Sequence, residues 1–198
     1  GFSDAAGLVP GLRPLNMYGY SKQLFDLWLL REHLQSEVAS LKFFNVYGPN
    51  EYHKGSMQSV VAKAHRQIRT EGRLCLFKSD VPGLAHGEQK RDFVYVKDCA
   101  VFMAWLLDRR DVCGIRNVGT GTARSFNDLG RAVFRALGSP CRLEYVDMPP
   151  GLSGRYQNYT RADMSWLNAV DCPLTFTPLE DGVTDYVTNY LETADPYL

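Results

Sequence analysis

Runs of strand-type residues alternate with stretches of helical period along almost the whole chain, and that alternation restricts the fold more than any other feature. Val38–Val46, Leu74–Lys78, Phe93–Val96, Ile115–Val118 and Leu143–Val146 are short, apolar and rich in β-formers. Between them lie Tyr20 to about His33, Ser59–Arg69, Val96–Leu107 and Ser125 to Gly138, with Thr160–Asn168 and Leu179–Leu191 following the last strand. Strands separated by helical segments predict an α/β architecture with parallel pairing. Local punctuation agrees. Pro49 closes the first strand run, and Gly72 and Gly138 stand where helices should stop. Ser125 followed by Asp128 reads as a helix cap with a first-turn acid, and Thr160 reads as the cap of the next helix. Residues 1–13, 79–90 and 149–155 read as loops.

The composition excludes several classes. Lys+Arg and Asp+Glu are both 22, so no net field draws the chain to nucleic acid or an anionic membrane. The longest apolar run, Cys99 to Leu107, is far shorter than the ~20 residues of a membrane span. Five scattered cysteines with no Cys-x-x-Cys pair predict free thiols and a cytoplasmic setting. His53, His65 and His86 have no ligand spacing, so no metal is expected.

Tyr18-Gly19-Tyr20-Ser21-Lys22 carries the most chemistry. On a helix Tyr18 and Lys22 share a face, and a neighbouring ammonium favours the phenolate, which suits a tyrosine acid/base. Tyr20 lacks such a partner, having Leu24 four residues on. The plain alternative is an incidental surface pair. Downstream come Asn45-Val46-Tyr47-Gly48-Pro49, His53-Lys54-Gly55-Ser56-Met57, Arg91-Asp92-Phe93-Val94-Tyr95-Val96-Lys97-Asp98, Asn117-Val118-Gly119-Thr120-Gly121 and Gly154-Arg155-Tyr156.

In this order the motifs resemble those of the extended short-chain dehydrogenase/reductase family, from Pro14 to about Tyr186. His-Lys-Gly-Ser-Met and Gly-Arg-Tyr are most similar to members that invert C6 of the sugar in an ADP-linked heptose, for lipopolysaccharide inner-core synthesis. The resemblance implies a Rossmann-type α/β fold with a smaller α/β substrate-binding region, an NADP cofactor, a nucleotide-sugar substrate and a homo-oligomer, a pentamer. It implies Tyr18 and Lys54 as the two acid/bases, with Lys22, Val46 and Lys54 at the cofactor. Asn45, Ser56, Lys63, Phe77, Arg91 and Tyr156 would hold substrate. Two donors are needed because the transient ketone must turn over between hydride removal and return, which puts its oxygen on the opposite side. Lys54 would suit this if partial burial lowered its pKa. Each has a plainer reading: Lys54 as a solvated loop lysine, Asn45 and Ser56 as turn residues, Arg91–Asp92 as a surface ion pair, and Phe77 as a core residue. Lys42 stands where the family often has arginine, Lys63 replaces a substrate-side histidine, and the 79–90 loop is longer than usual.

No Gly-rich phosphate-binding turn precedes Tyr18. Gly119-Thr-Gly121-Thr-Ala-Arg124 has Arg124 in place of the third glycine and reads as a strand-to-helix turn. The chain is therefore expected to be the C-terminal two-thirds of an enzyme, inactive, prone to aggregate and poor at binding either NADP or substrate on its own. Residues 1–49 and 91–121 would belong to the dinucleotide-binding domain, and 50–90 and 122–198 to the substrate-binding region. A nucleotide-sugar 4-epimerase, a 4,6-dehydratase, or an inactive fragment that only binds remain as alternatives.

Overall fold

The computed structural model describes residues 6–153, 156–195 and 197. Along them run α1 (Met17–Arg31), β1 (Ala39–Phe43), β2 (Asn45–Tyr47), α2 (Val60–Glu71), β3 (Leu74–Phe77), β4 (Lys90–Tyr95) and α3 (Val96–Leu107). Then come β5 (Gly114–Val118), β6 (Ala123–Ser125), α4 (Phe126–Ala136), β7 (Leu143–Val146), α5 (Trp166–Ala169) and α6 (Leu179–Tyr186). A 3₁₀ turn at Tyr52–Met57 and a π turn at Val187–Leu191 complete the part that concerns the site.

Three parallel pairings confirm the α/β reading: β1 with β5, β2 with β4 and β3 with β7, while β6 adds antiparallel to β4. The main core lies where α2, α4 and α6 cover β2, β3 and β4, with Tyr47, Val61, Phe93, Leu129, Phe134 and Tyr186 among its buried members. A second cluster of Phe102, Val112, Val118 and Trp166 packs α3 against β5 and α5.

The helix caps follow side-chain chemistry. Ser59 and Ser125 accept from the backbone N–H groups of Ala62 and Asp128, and Asp128 returns the bond to the Ser125 N–H. Asn16 accepts from Gly19 N–H at 2.9 Å, which starts α1 at Met17 rather than at Tyr20. Other expectations need correction. The Val38–Val46 run breaks at Phe44, whose N–H donates to Val118 O while Val46 N–H turns back to Phe44 O, sending β1 and β2 into different sheets. The turn after β5 leads into β6 before the helix begins. Thr160 caps no helix. Its N–H donates to Lys90 O at 3.1 Å, so the chain stays extended and only Trp166–Ala169 is helical. The first residues contain a 3₁₀ turn, Ala6–Gly11, and residues 1–5 lie outside the described part.

Asp92, 0% exposed, ties three segments together. Its Oδ1 accepts from Thr120 N–H and Oγ1–H at 2.7 and 2.8 Å, and its Oδ2 from Gly121 N–H and Ala162 N–H at 2.9 and 3.0 Å. A Cβ at Gly119 would stand 2.8 Å from that Oδ2, so the turn needs glycine there. Replacing Asp92 with alanine orphans four donors and should cost roughly 3–5 kcal/mol. A urea titration should show the midpoint falling at unchanged slope. An Asp92→Ala midpoint matching the parent would show that these bonds do not hold the fold.

Candidate active site

Tyr18 and Lys22 occupy the first turns of α1 and are both exposed, with the Lys22 ammonium 5.2 Å from the Tyr18 ring centroid. The expected i,i+4 pairing is present. Among the described residues Lys22 meets no carboxylate within ion-pair distance, so its N–H donors are open to a ligand. The helix beneath them is held from below. Asp26 is 1% exposed and pairs with Lys42 on β1, with Ser40 Oγ at 3.5 Å from its other oxygen. Gln23 donates to Val9 O and Leu12 O at 2.9 and 3.0 Å. Sequence reasoning noted Lys42 only as a departure from the family. The available signal was Asp26, an acid set between the apolar residues Phe25 and Leu27.

Asn45 and Val46 sit on β2 with exposed side chains, opposite Phe93 and Val94 of β4. The chain then turns at Gly48, where φ is +141° and a Cβ would strike Val96 Cγ1 at 2.4 Å. It enters the 3₁₀ turn that carries Lys54 and Ser56. Buried Glu51 fixes the base of this turn: its carboxylate accepts from Ser59 N–H at 2.5 Å, Ser59 Oγ–H at 2.6 Å and Tyr186 O–H at 3.0 Å. Gln58 donates back to Tyr52 O at 3.1 Å. Lys54 and Ser56 themselves are exposed, so the partial burial expected for Lys54 is not found. No hydrogen bond or ion pair among the described residues joins them to Tyr18 or Lys22.

Lys63, Phe77 and Tyr156 do come together. They line one cavity of about 250 Å³, whose apolar walls include Leu74, Leu76 and Phe126 and whose polar members are Gln67 and Gln89. Tyr156 stands edge-on to Phe77 at 6.2 Å. Arg91 lies behind this wall, its guanidinium 5.1 Å from the Tyr156 ring and 5.6 Å from that of Phe126. Burial pushes the Arg91 pKa down and that of Tyr156 up, while each opposes the other's shift. Arg91 donates to Lys90 O at 2.9 Å and pairs with no carboxylate among the described residues. The surface pair Arg91–Asp92 is thus replaced by two buried residues with separate partners. Gly154 and Arg155 of the Gly-Arg-Tyr motif lie outside the described residues. Sequence reasoning missed Gln67 and Gln89, because an amide in a helix or at a loop end carries no motif.

The Gly119–Gly121 turn offers nothing to a pyrophosphate, since Asp92 already takes the N–H groups of Thr120 and Gly121. Among the described residues no three His, Cys, Asp or Glu side chains gather as metal ligands, and no helix is long and apolar enough to cross a membrane.

The sequence pattern of the NAD dependent epimerase/dehydratase family matches residues 4–119. The chain belongs to that family. It is 58% identical along all 198 residues to an ADP-L-glycero-D-manno-heptose-6-epimerase of Nitratidesulfovibrio vulgaris (strain DP4), and spans 61% of that relative's length. Among solved structures it is similar to the Helicobacter pylori ADP-L-glycero-D-manno-heptose-6-epimerase. The TM-score is 0.70 at 30% identity, over 88% of this chain and 50% of that one. A Thermus thermophilus UDP-glucose 4-epimerase in complex with NAD gives a TM-score of 0.68 at 27% identity, over 88% of this chain and 54% of that one. A nicotinamide cofactor is therefore the family's expectation.

The two lysines near α1 should separate experimentally. Lys42→Ala strands the buried Asp26 carboxylate and should destabilise the fold by about 3–5 kcal/mol. Lys22→Ala removes an exposed ammonium and should stay within about 0.5 kcal/mol of the parent. Equal melting shifts for the two variants would contradict this division of roles.

Proposed function

We propose that the chain supplies the acid/base and substrate-holding residues of an NADP-dependent epimerase that inverts C6 of the heptose in an ADP-linked heptose. In the cell this would serve the making of lipopolysaccharide inner-core heptose in the cytoplasm. The observation that carries the reading is the 58% identity along all 198 residues to a protein of that name. The cavity formed by Lys63, Phe77 and Tyr156 supports it, as does Arg91 held between two aromatic rings.

When bound, the nicotinamide supplies the hydride exchange that takes the carbinol carbon to a ketone and back. Lys22 would hold the cofactor's ribose beside Tyr18, and Val46 and Lys54 would add contacts to the cofactor. Tyr18 O–H handles the proton at the sugar oxygen on one face, and Lys54 Nζ handles it after the ketone has turned over. Asn45 and Ser56 offer hydrogen bonds to the sugar. Arg91 presents a planar fork to the diphosphate, Phe77 stacks on the base, and Lys63 and Tyr156 close the nucleotide end.

We assign residues 1–49 and 91–121 to the cofactor half and 50–90 and 122–198 to the substrate half. The pairings of β1 with β5, β2 with β4 and β3 with β7 support that division. The assembly would be a homo-oligomer, a pentamer. The uncovered Leu24, Phe25 and Trp28 on α1, exposed by 48%, 53% and 42%, support an oligomer. A second reading, a nucleotide-sugar 4-epimerase working with Tyr18 alone, is favoured by the resemblance to the T. thermophilus enzyme.

In the enzyme, Tyr18→Phe and Lys54→Ala should each lower the epimerisation rate by about 10²–10⁴-fold, the worth of one general acid/base. NADP binding should survive Lys54→Ala. Near-normal epimerisation by Lys54→Ala would remove the two-base scheme and leave the 4-epimerase reading.

A further inference from the structure

We infer that Gln89 reads the exocyclic amino group of the substrate's base, by presenting to it a buried acceptor that the fold leaves unused. The inference rests on the reading of the 250 Å³ cavity as the site of the adenine ring. Gln89 is 1% exposed and sits in the wall of that cavity, just before β4. Its Nε2 donates to Lys78 O at 3.2 Å and to Phe77 O at 3.5 Å. Both partners are carbonyls, which only accept, so the amide nitrogen must face them and the orientation of the side chain is fixed.

Oε1 then points the other way. No donor among the described residues reaches it. The only sealed side-chain polar atoms without a partner among those residues are Asn158 Oδ1 and Thr160 Oγ1, so Gln89 Oε1 opens into the cavity. A buried acceptor that faces an empty space favours a ligand that donates there.

The walls say what kind of donor. Leu74, Leu76, Phe77 and Phe126 make much of the wall apolar, which suits a planar ring better than a sugar's ring of hydroxyls. The volume is below the ~300–1,000 Å³ of whole-ligand sites, so one ring system of a larger molecule fits. An apolar ring with an amino group meets both demands, and adenine is such a ring. A base carrying a keto oxygen or a bare C–H in the same place would leave Oε1 unpaired or set two acceptors against each other. The loss of one neutral hydrogen bond in a dry site is about tenfold in affinity.

The test compares ADP with purine riboside 5′-diphosphate, which replaces the amino group with hydrogen, and with UDP, by ligand-observed NMR competition at millimolar concentration on the NADP-loaded enzyme to which the chain belongs. ADP should bind about tenfold more tightly than the purine analogue. Gln89→Met, with its thermal midpoint recorded alongside, should weaken ADP about tenfold, leave the analogue unchanged and bring their ratio near one. Equal binding of ADP and the analogue to the unmodified enzyme would overturn the role of Gln89 while leaving the adenine site standing, and that comparison needs no variant. A ratio preserved in Gln89→Met would overturn it too. UDP displacing ADP at equal concentration, or no binding by any of the three, would overturn the adenine reading and this inference together.

Discussion

The buried carboxylate of Asp92 is the constraint on which the site depends. With two bonds to Thr120 and one each to Gly121 and Ala162, it locks β4 to the turn after β5 and to the segment that follows Tyr159. Successive residues of a strand point to opposite faces. Once Asp92 is pinned on one side of β4, Arg91 must emerge on the other, where Phe126 and Tyr156 flank its guanidinium. A residue with no proposed ligand role thereby fixes the direction of one that is proposed to have it. The same bonds consume the N–H groups that make a Gly-Thr-Gly turn look like a phosphate cradle.

Helix α6 extends this control to the other end of the site. Gly182 lets the Tyr47 ring approach so closely that a Cβ there would meet its hydroxyl at 2.2 Å. Asp185 accepts from Tyr95 O–H and from Lys97 at 2.5 and 2.7 Å, and Tyr186 donates to Glu51 at the base of the Lys54 turn. One helix thus touches the strand before the Tyr-Gly-Pro turn, the end of β4 and the anchor of the loop that offers Lys54. Desolvation and the nearby Glu51 carboxylate push the Tyr186 hydroxyl well above the ordinary phenol range, so it remains a donor at all working pH values.

Much of this was legible in the sequence because it is local. The periods of α2, α3 and α4, the Ser125 cap and the Gly72 stop depend on residues within a few positions of each other. What could not be read depends on partners far along the chain. The break at Phe44 is set by Val118, the extended course at Thr160 by Lys90, and the placement of α1 by Lys42. The cavity shows both cases. Lys63, Phe77 and Tyr156 were reachable through family resemblance, whereas Gln89 becomes noticeable only when the carbonyls of residues 77 and 78 are seen to fix its amide.

The family's motifs therefore mix two kinds of residue, and burial separates them. Tyr47, Gly48, Asp92 and Tyr95 are buried, and Asp98 spends its carboxylate on the N–H and hydroxyl of Thr177 at 2.7 Å each. These build the frame. Tyr18, Lys22, Asn45, Lys54 and Ser56, drawn from the same motifs, are exposed and carry no ion pair among the described residues. The fold gains little from them, and for an ammonium such as that of Lys54 the usual reason to stay fixed, a buried counter-charge, is missing. Lys42 shows the contrast. It lies on β1 and its ammonium is held by the buried Asp26 carboxylate, so its position is set by the fold. A motif match gains weight as a functional assignment where the fold has left the side chain's polar atoms unused, which holds for Lys22 and Lys54 and fails for Lys42 and Asp92.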